Sequence, residues 1–129
     1  MKTSEKNFPF FPLLNNGMGK SQQRKGRNGE LELTKRLCSY GIPAEPGQAV
    51  SYGQVPDIVG VPGVHVECKR QERLNLDRAM DQAIRDAERF HDGMPAVFHR
   101  RNRQPWMVTM LLDDWIALYS GWSDEKLRR

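Results

Sequence analysis

Glu67 and Lys69 are the residues whose types and spacing most directly suggest chemistry in this chain. They lie in segment 64–69, VHVECK, where apolar and polar residues alternate as they do in a half-buried β-strand. Side chains two positions apart on a strand point to the same side of the sheet, so Glu67 and Lys69 are predicted to project side by side with His65. An exposed ion pair, contributing less than about 1 kcal/mol, would have the same local sequence.

A second carboxylate, Asp57, follows Pro56 at the start of the apolar segment 57–61, DIVGV. The turn residues Pro62 and Gly63 separate this segment from the next one, so the two segments are predicted to form a hairpin. A two-residue turn would pair Ile58 with Glu67 and direct Asp57 to the wrong face. We predict a three-residue loop, 61–63, which places Asp57 directly opposite Glu67.

A third carboxylate is expected from the preceding helix. Residues 28–40, NGELELTKRLCSY, are predicted to be helical, with Asn28 as N-cap and Gly41 ending the helix. At about 100° per residue, Glu30 points to the middle of the apolar face and Glu32 points away from it; that face consists of Leu31, Leu33, Leu37, Cys38 and Tyr40. A carboxylate aimed at a core costs several kcal/mol unless another group pairs with it.

Three carboxylates that converge on one place repel each other unless a cation lies between them. Oxygen ligands favour Mg²⁺, with Mn²⁺ as a substitute. Such a metal ion activates water and offsets negative charge on a phosphodiester, and Lys69 can orient or deprotonate that water or contact the phosphate. The residues therefore indicate phosphodiester hydrolysis.

The remaining elements predict an α/β fold. Residues 76–91 have the pattern of an amphipathic helix, residues 96–100 and 106–112 that of a strand hairpin, and a short helix begins at Asp113 or Asp114. The order of elements predicts a mixed central sheet flanked by helices.

Composition fits one folded domain. The chain has 129 residues, of which 38% are hydrophobic and 28% charged, so disorder over its whole length is excluded. We expect a tail at 1–23 that is flexible or docks on a dimer partner, a domain at 24–119, and a charged tail at 120–129. No apolar run is long enough to span a membrane and no signal peptide is evident, so we expect a cytoplasmic protein.

The charge distribution leaves two interpretations open. The net charge is +4 and the sequence pI is about 9.3, and the basic residues are clustered along the chain. The clusters suit a polyanionic partner such as nucleic acid, or they form a solvated basic surface.

Three segments together resemble a known family. Residues 25–33, KGRNGELEL, 56–59, PDIV, and 66–69, VECK, are similar to the motifs of archaeal-type Holliday-junction resolvases, which belong to the PD-(D/E)xK nuclease superfamily. The similarity extends over about residues 24–115. It implies a restriction-endonuclease-like core with a mixed sheet of about five strands, and a homodimer that nicks symmetric strands of a four-way DNA junction.

The resemblance also assigns roles to residues. It implies that Glu30, Asp57 and Glu67 bind the metal ion and that Lys69 is the catalytic lysine. Leu31 departs from the family, which has an arginine there. The family's serine before Pro-Asp corresponds to Ser51 or to the Tyr52-Gly53 turn. The basic and polar residues of these and other segments give the candidate DNA contacts Lys25, Arg27, Ser51, Arg70, Arg100, Arg101 and Arg103. For the last three, a solvated turn is the equal alternative.

Alternatives remain beside the resolvase interpretation. The first alternative is a restriction-type or repair-type nuclease of the same superfamily that acts on double-stranded DNA. The second is a non-catalytic DNA-binding module with the same fold. Gln82, on the flank of its helix, either approaches the site, as a helical glutamine does in related nucleases, or faces solvent. His65 is predicted to be a neighbour of the site.

Overall fold

Five strands and three helices make up the part of the chain that a computed structural model describes, residues 17–47 and 55–128; side chains are described from residue 26 onward. In chain order the elements are α1 (Gly17–Cys38), β1 (Glu45–Pro46), β2 (Ile58–Val59), β3 (Val64–Arg70), α2 (Leu76–Phe90), β4 (Met94–Arg100), β5 (Met107–Met110) and α3 (Leu112–Leu127).

The strands form one mixed sheet in the order β1-β2-β3-β4-β5. β3 and β4 are parallel and are connected through α2, whereas the other neighbouring strands are antiparallel. This arrangement confirms the predicted α/β fold with a mixed five-stranded sheet. β3 lies at its centre, so the residues of β3 are covered on both faces.

The two faces of the sheet pack against different helices. Leu33 of α1 is buried with Ile58, Val66 and Cys68. On the other face lies α2, whose N-cap is Asn75; the Asn75 side chain accepts a hydrogen bond from the backbone N–H of Arg78. The buried stripe of α2 consists of alanines, Ala79, Ala83 and Ala87, which allow the helix to lie close to the strands.

The β2–β3 hairpin has the predicted register. Ile58 pairs with Val66 in an antiparallel arrangement. The same register, continued by one residue, places Asp57 opposite Glu67 and leaves residues 61–63 as the loop. The loop closes with a hydrogen bond that the backbone N–H of Val64 donates to the carbonyl of Val61. The prediction of a three-residue loop is therefore confirmed.

Helix α1 begins earlier than the sequence predicts. It starts at Gly17 rather than at residue 28, so Asn28 lies inside the helix and is not its N-cap. The segment 17–27 contains no proline and several good helix formers, so nothing stops the helix from extending toward the N-terminus. The predicted apolar face is also partly wrong, because Leu31 and Tyr40 are exposed.

Helix α3 is longer than predicted. Its N-cap is Leu111, while Asp113 and Asp114 lie in its first turn, and the helix continues to Leu127 through much of the expected charged tail. Of the described helices, none combines the length and the apolar character needed to cross a membrane.

Candidate active site

Glu67 lies at the centre of the site, on the middle strand of the sheet. Its side chain is almost completely buried, with a residue exposure of 3%. One carboxylate oxygen, Oε2, lies 3.7 Å from Lys69 Nζ, and the other, Oε1, lies 3.4 Å from His65 Nε2. The strand period of two therefore brings together the three polar side chains that the sequence predicts on one face of β3.

Asp57 is held in place by the neighbouring strand. Its Oδ2 accepts a hydrogen bond of 3.0 Å from the backbone N–H of Cys68. Burial raises the pKa of Asp57 well above its ordinary value, and the negative charges of Glu67 and Glu30 raise it further; the Cys68 hydrogen bond and the Lys69 charge act in the opposite direction. The site thus destabilises the ionised form of this carboxyl group.

Glu30 contributes the third carboxylate from α1. Partial burial raises its pKa, the charge of Glu67 raises it further, and the charge of Lys69 lowers it. Glu30 and Asp57 therefore both experience the charge of Glu67, as expected for carboxylates that share one site. The structure brings together all four residues predicted to be catalytic.

Lys69 is oriented by a residue of α2, the helix on the other face of the sheet from α1. Its Nζ donates a hydrogen bond of 3.1 Å to Oε1 of Gln82 on α2. Of the two predicted positions for Gln82, the one near the site is confirmed. Glu67 and Gln82 together confine the ammonium group, which is only partly exposed.

His65 forms a second ion-pair network behind Glu67. Its Nδ1 lies 2.9 and 3.0 Å from the two carboxylate oxygens of Asp92, and its ring stacks on Phe90 with centroids 6.3 Å apart. Burial lowers the pKa of His65, but its hydrogen bonds to Glu67 and Asp92 and their charges outweigh burial and raise it to about 9. The ring is therefore an imidazolium at neutral pH. It contacts Glu67 from behind, so the predicted place of His65 next to the site is confirmed.

Asp86 of α2 extends this network. Burial raises its pKa and the Glu67 charge raises it further, while His65, Arg89 and Arg85 lower it. The ligand atoms of His65, Glu67 and Asp86 lie within 4.8 Å of one another. Because both ring nitrogens of His65 face carboxylates, we interpret the cluster as an ion-pair network. Neither Asp86 nor Asp92 was found from the sequence, where no pattern connects them to β3.

Glu32 attaches α1 to the sheet, although the helix pattern predicts that it points away. It forms ion pairs with Arg70 of β3, at 3.3 Å, and with Arg100 of β4. Gly29 lies against the Arg70 side chain, and a Cβ at this position would come within 2.5 Å of the Arg70 Cβ. The contacts of Gly29 and Glu32 lie on either side of Glu30 in the helix sequence. They therefore fix the distance between Glu30 and the strands.

The predicted DNA contacts have different surroundings. Arg70 and Arg100 are engaged by Glu32, whereas Arg27, Arg101 and Arg103 are exposed. Lys25 belongs to α1, but its side chain lies outside the described part, as does Ser51 altogether. The roles of all seven residues toward DNA remain predictions.

Comparison with known proteins supports the fold. No protein-family model matches the chain, and no curated protein matches it. Among solved structures, a Holliday junction resolvase, Hjc from the archaeal hyperthermophile Archaeoglobus fulgidus, is similar with a TM-score of 0.51 and 24% sequence identity; the match covers 67% of this chain and 72% of that chain. At this identity the similarity shows a common fold.

Proposed function

We propose that the chain is a metal-dependent DNA endonuclease that hydrolyses phosphodiester bonds, with four-way junctions as its substrate. One observation carries the proposal: on a resolvase-like sheet, Asp57, Glu67 and Glu30 share a site with Lys69. The structural alternative, a solvated ion pair on a strand face, does not account for a Glu67 that is 3% exposed.

The donor set fits a divalent metal ion. The three carboxylates offer oxygen ligands, and burial and mutual repulsion raise the pKa values of Glu30 and Asp57. A bound cation would relieve that repulsion, and oxygen donors with open positions for water suit Mg²⁺ and also Mn²⁺. Glu30, Asp57 and Glu67 would hold the ion, which when bound supplies an acidified water and offsets charge on the phosphate.

In this proposal Lys69 is the residue that acts on the attacking water. Gln82 Oε1 accepts a hydrogen bond from the Lys69 ammonium group and Glu67 lies beside it, so Nζ is held at the edge of the carboxylate cluster. From there it orients the attacking water or contacts a phosphate oxygen, which carries increasing negative charge during hydrolysis. Asp57 is kept in position by the Cys68 N–H and does not have to reorganise.

The substrate is inferred from the fold and from the basic surface. The similar structure is named a Holliday junction resolvase, and the exposed Arg101 and Arg103 lie in the β4–β5 turn, where they would reach phosphates. Phosphate contacts carry no sequence information, so a small protein of this kind reads DNA shape. Paired nicks on symmetric strands require two active sites. We propose that a homodimer of this chain supplies them.

A cleavage assay on DNA of different shapes tests the substrate. An end-labelled immobile four-way junction and a linear duplex with the same arm sequences are incubated with the protein in Mg²⁺. We expect symmetric nicks in the junction and little cleavage of the duplex. Equal cleavage of both would reject the resolvase proposal in favour of a general nuclease. Salt-sensitive binding without cleavage in any metal would favour a non-catalytic DNA-binding module.

A further inference from the structure

The two carboxylates of the sheet are each held at one oxygen by the protein itself. Oδ2 of Asp57 accepts a hydrogen bond from the backbone N–H of Cys68, at 3.0 Å. Oε1 of Glu67 faces Nε2 of His65 at 3.4 Å, whereas Oε2 lies on the side of Lys69, 3.7 Å from Nζ. Of the contacts at Oδ2 and Oε1, only the one at Oε1 comes from a side chain, so it depends on the identity of residue 65.

His65 is fixed against Oε1 from two sides. Its Nδ1 lies 2.9 and 3.0 Å from the two carboxylate oxygens of Asp92, and its ring stacks on Phe90 with an angle of 12° between the planes. The residue is only 1% exposed. Because protein interiors are close-packed, a ring held in this way does not turn aside. Nε2 therefore stays next to Glu67, and Glu67 keeps one orientation.

The number of oxygens that Glu67 offers distinguishes Mg²⁺ from Ca²⁺. Mg²⁺ takes about six ligands and is bound through one or two carboxylates together with several waters, whereas Ca²⁺ takes about six to eight ligands and often uses both oxygens of one carboxylate. Selectivity between the two ions depends on the number and the flexibility of the ligands. A Glu67 whose Oε1 is engaged by His65 offers one oxygen in a fixed position, which suits Mg²⁺ and withholds a second oxygen from Ca²⁺.

We propose that His65 is a positioning residue that makes the carboxylate site select Mg²⁺ over Ca²⁺. The inference rests on the proposed function, in which the three carboxylates hold the ion, and it adds the residue that decides which ion is held. His65 acts through Glu67 and does not ligate the ion. Loss of such an outer partner typically lowers metal affinity by about 10- to 100-fold. Here the loss should weaken Mg²⁺, while Ca²⁺ gains access to the second oxygen of Glu67.

Displacement of Mn²⁺ from the full chain, without DNA, tests the inference separately from cleavage. Electron paramagnetic resonance measures free Mn²⁺ while Mg²⁺ or Ca²⁺ is added, and the ratio of the Mg²⁺ and Ca²⁺ Kd values is compared between variants. His65→Leu removes the contact with Oε1 and should shift this ratio toward Ca²⁺ by at least about tenfold. A purely structural role of His65 would weaken both ions equally and leave the ratio unchanged.

Asp92 provides a matched pair of variants that leave the buried histidine in place, since the Asp92 side chain is 27% exposed. Asp92→Ala removes the acceptor of the Nδ1–H bond and should shift the ratio toward Ca²⁺ several-fold, as expected for the loss of one hydrogen bond. Asp92→Asn is the control, because its amide oxygen can still accept that bond; its ratio should stay close to that of the wild type. This pair decides the question if His65→Leu does not fold.

The outcomes separate the inference from the proposed function. A wild-type ratio in both His65→Leu and Asp92→Ala would overturn the inference and leave the proposed function standing. The inference would also be overturned if Asp92→Asn shifted the ratio as far as Asp92→Ala, because the ratio would then follow charge and not the position of the ring. A wild-type chain that binds no Mn²⁺ would refute the proposed function and the inference together.

Discussion

Replacing Asp57 by asparagine should stabilise the fold while it eliminates metal binding. Asparagine retains an oxygen that can accept the Cys68 N–H bond, but it removes one of three mutually repelling charges. Directly opposed residues of an antiparallel pair have Cβ atoms about 5 Å apart, and at an effective dielectric constant of about 20 two like charges at that distance repel by about 3 kcal/mol.

The neighbouring ammonium group of Lys69 offsets part of this repulsion. The net gain for Asp57→Asn should therefore be about 1–2 kcal/mol, or about 4–8 °C in Tm for a domain of this size. The sign of the pH dependence follows from the raised pKa of Asp57. The Asp57 carboxyl group binds its proton more tightly in the folded state than in the unfolded state. The wild type therefore gains stability as the pH falls through that raised pKa, and the difference in unfolding free energy between wild type and variant becomes smaller.

Scanning calorimetry measures both effects. In EDTA at neutral pH the variant should melt at a higher temperature than the wild type. Mg²⁺ at one hundred times its Kd should then stabilise the wild type by about 2.7 kcal/mol and raise its Tm accordingly. The Tm of the variant should not change when Mg²⁺ is added. Asp81→Asn is the control, since Asp81 is exposed on α2 and should change stability by less than about 0.5 kcal/mol.

Two results would refute this reasoning. An Asp57→Asn variant that is less stable than the wild type in EDTA would mean that the carboxylate is stabilised by its surroundings. Equal stabilisation of both proteins by Mg²⁺ would mean that the metal ion binds without this carboxylate.

Three further predictions follow from the contacts that position the site. Gly29→Ala should displace α1 from Arg70 and lower the single-turnover cleavage rate by about 100-fold, as for a misplacement of about 1 Å. The control for this variant is Gly26→Ala, since Gly26 has open space around it; the change should stabilise the helix by up to about 1 kcal/mol and leave cleavage unchanged. Gln82→Ala should slow cleavage about tenfold without changing the Kd for DNA measured by fluorescence anisotropy; a changed Kd with a normal rate would contradict the positioning role. His65→Asn should destabilise the metal-free protein most below pH 6.5, and its difference from wild type in thermal melts should narrow, to the cost of the lost packing, as the pH rises through about 9; a difference independent of pH would contradict the imidazolium assignment.

The sequence predicts the β-strand part of the site well because strands have a simple period. Alternation places Glu67 and Lys69 on one side of β3, and the length of the loop after β2 then decides which residue lies opposite Glu67. The observed register confirms both steps. The place of Glu30 was also predictable, since a carboxylate directed at an apolar helix face requires a partner.

The contacts that hold the site together were beyond prediction because they join distant parts of the chain. Asp92 is 27 residues from His65, and Glu32 is 68 residues from Arg100. A helix pattern shows which side chains share a face, but not which strands that face meets. Glu32 therefore looked solvent-directed, although it anchors α1 through two arginines.

The ends of the helices were mispredicted for a different reason. Between residues 17 and 27 no proline ends helix α1, so the helix extends past Asn28 toward the N-terminus. Asparagine occurs both as an N-cap and inside helices, so its type alone did not show which of the two positions Asn28 occupies. In α3 the charged residues after Ser120 were assigned to a tail, yet they continue the helix. Apolar content alone did not reveal that this helix would have no covering element in the described part of the chain.

The most direct test of the central claim is single-turnover cleavage of a labelled four-way junction by wild type and by Glu67→Gln, each in Mg²⁺ and in EDTA. We expect nicks that carry 5′ or 3′ phosphate ends with wild type in Mg²⁺, no cleavage in EDTA, and a loss of at least 1000-fold in the cleavage rate of the variant, with DNA binding retained. Cleavage by Glu67→Gln at the wild-type rate, or wild-type cleavage that persists in EDTA, would contradict a metal-dependent nuclease centred on the carboxylates of the sheet.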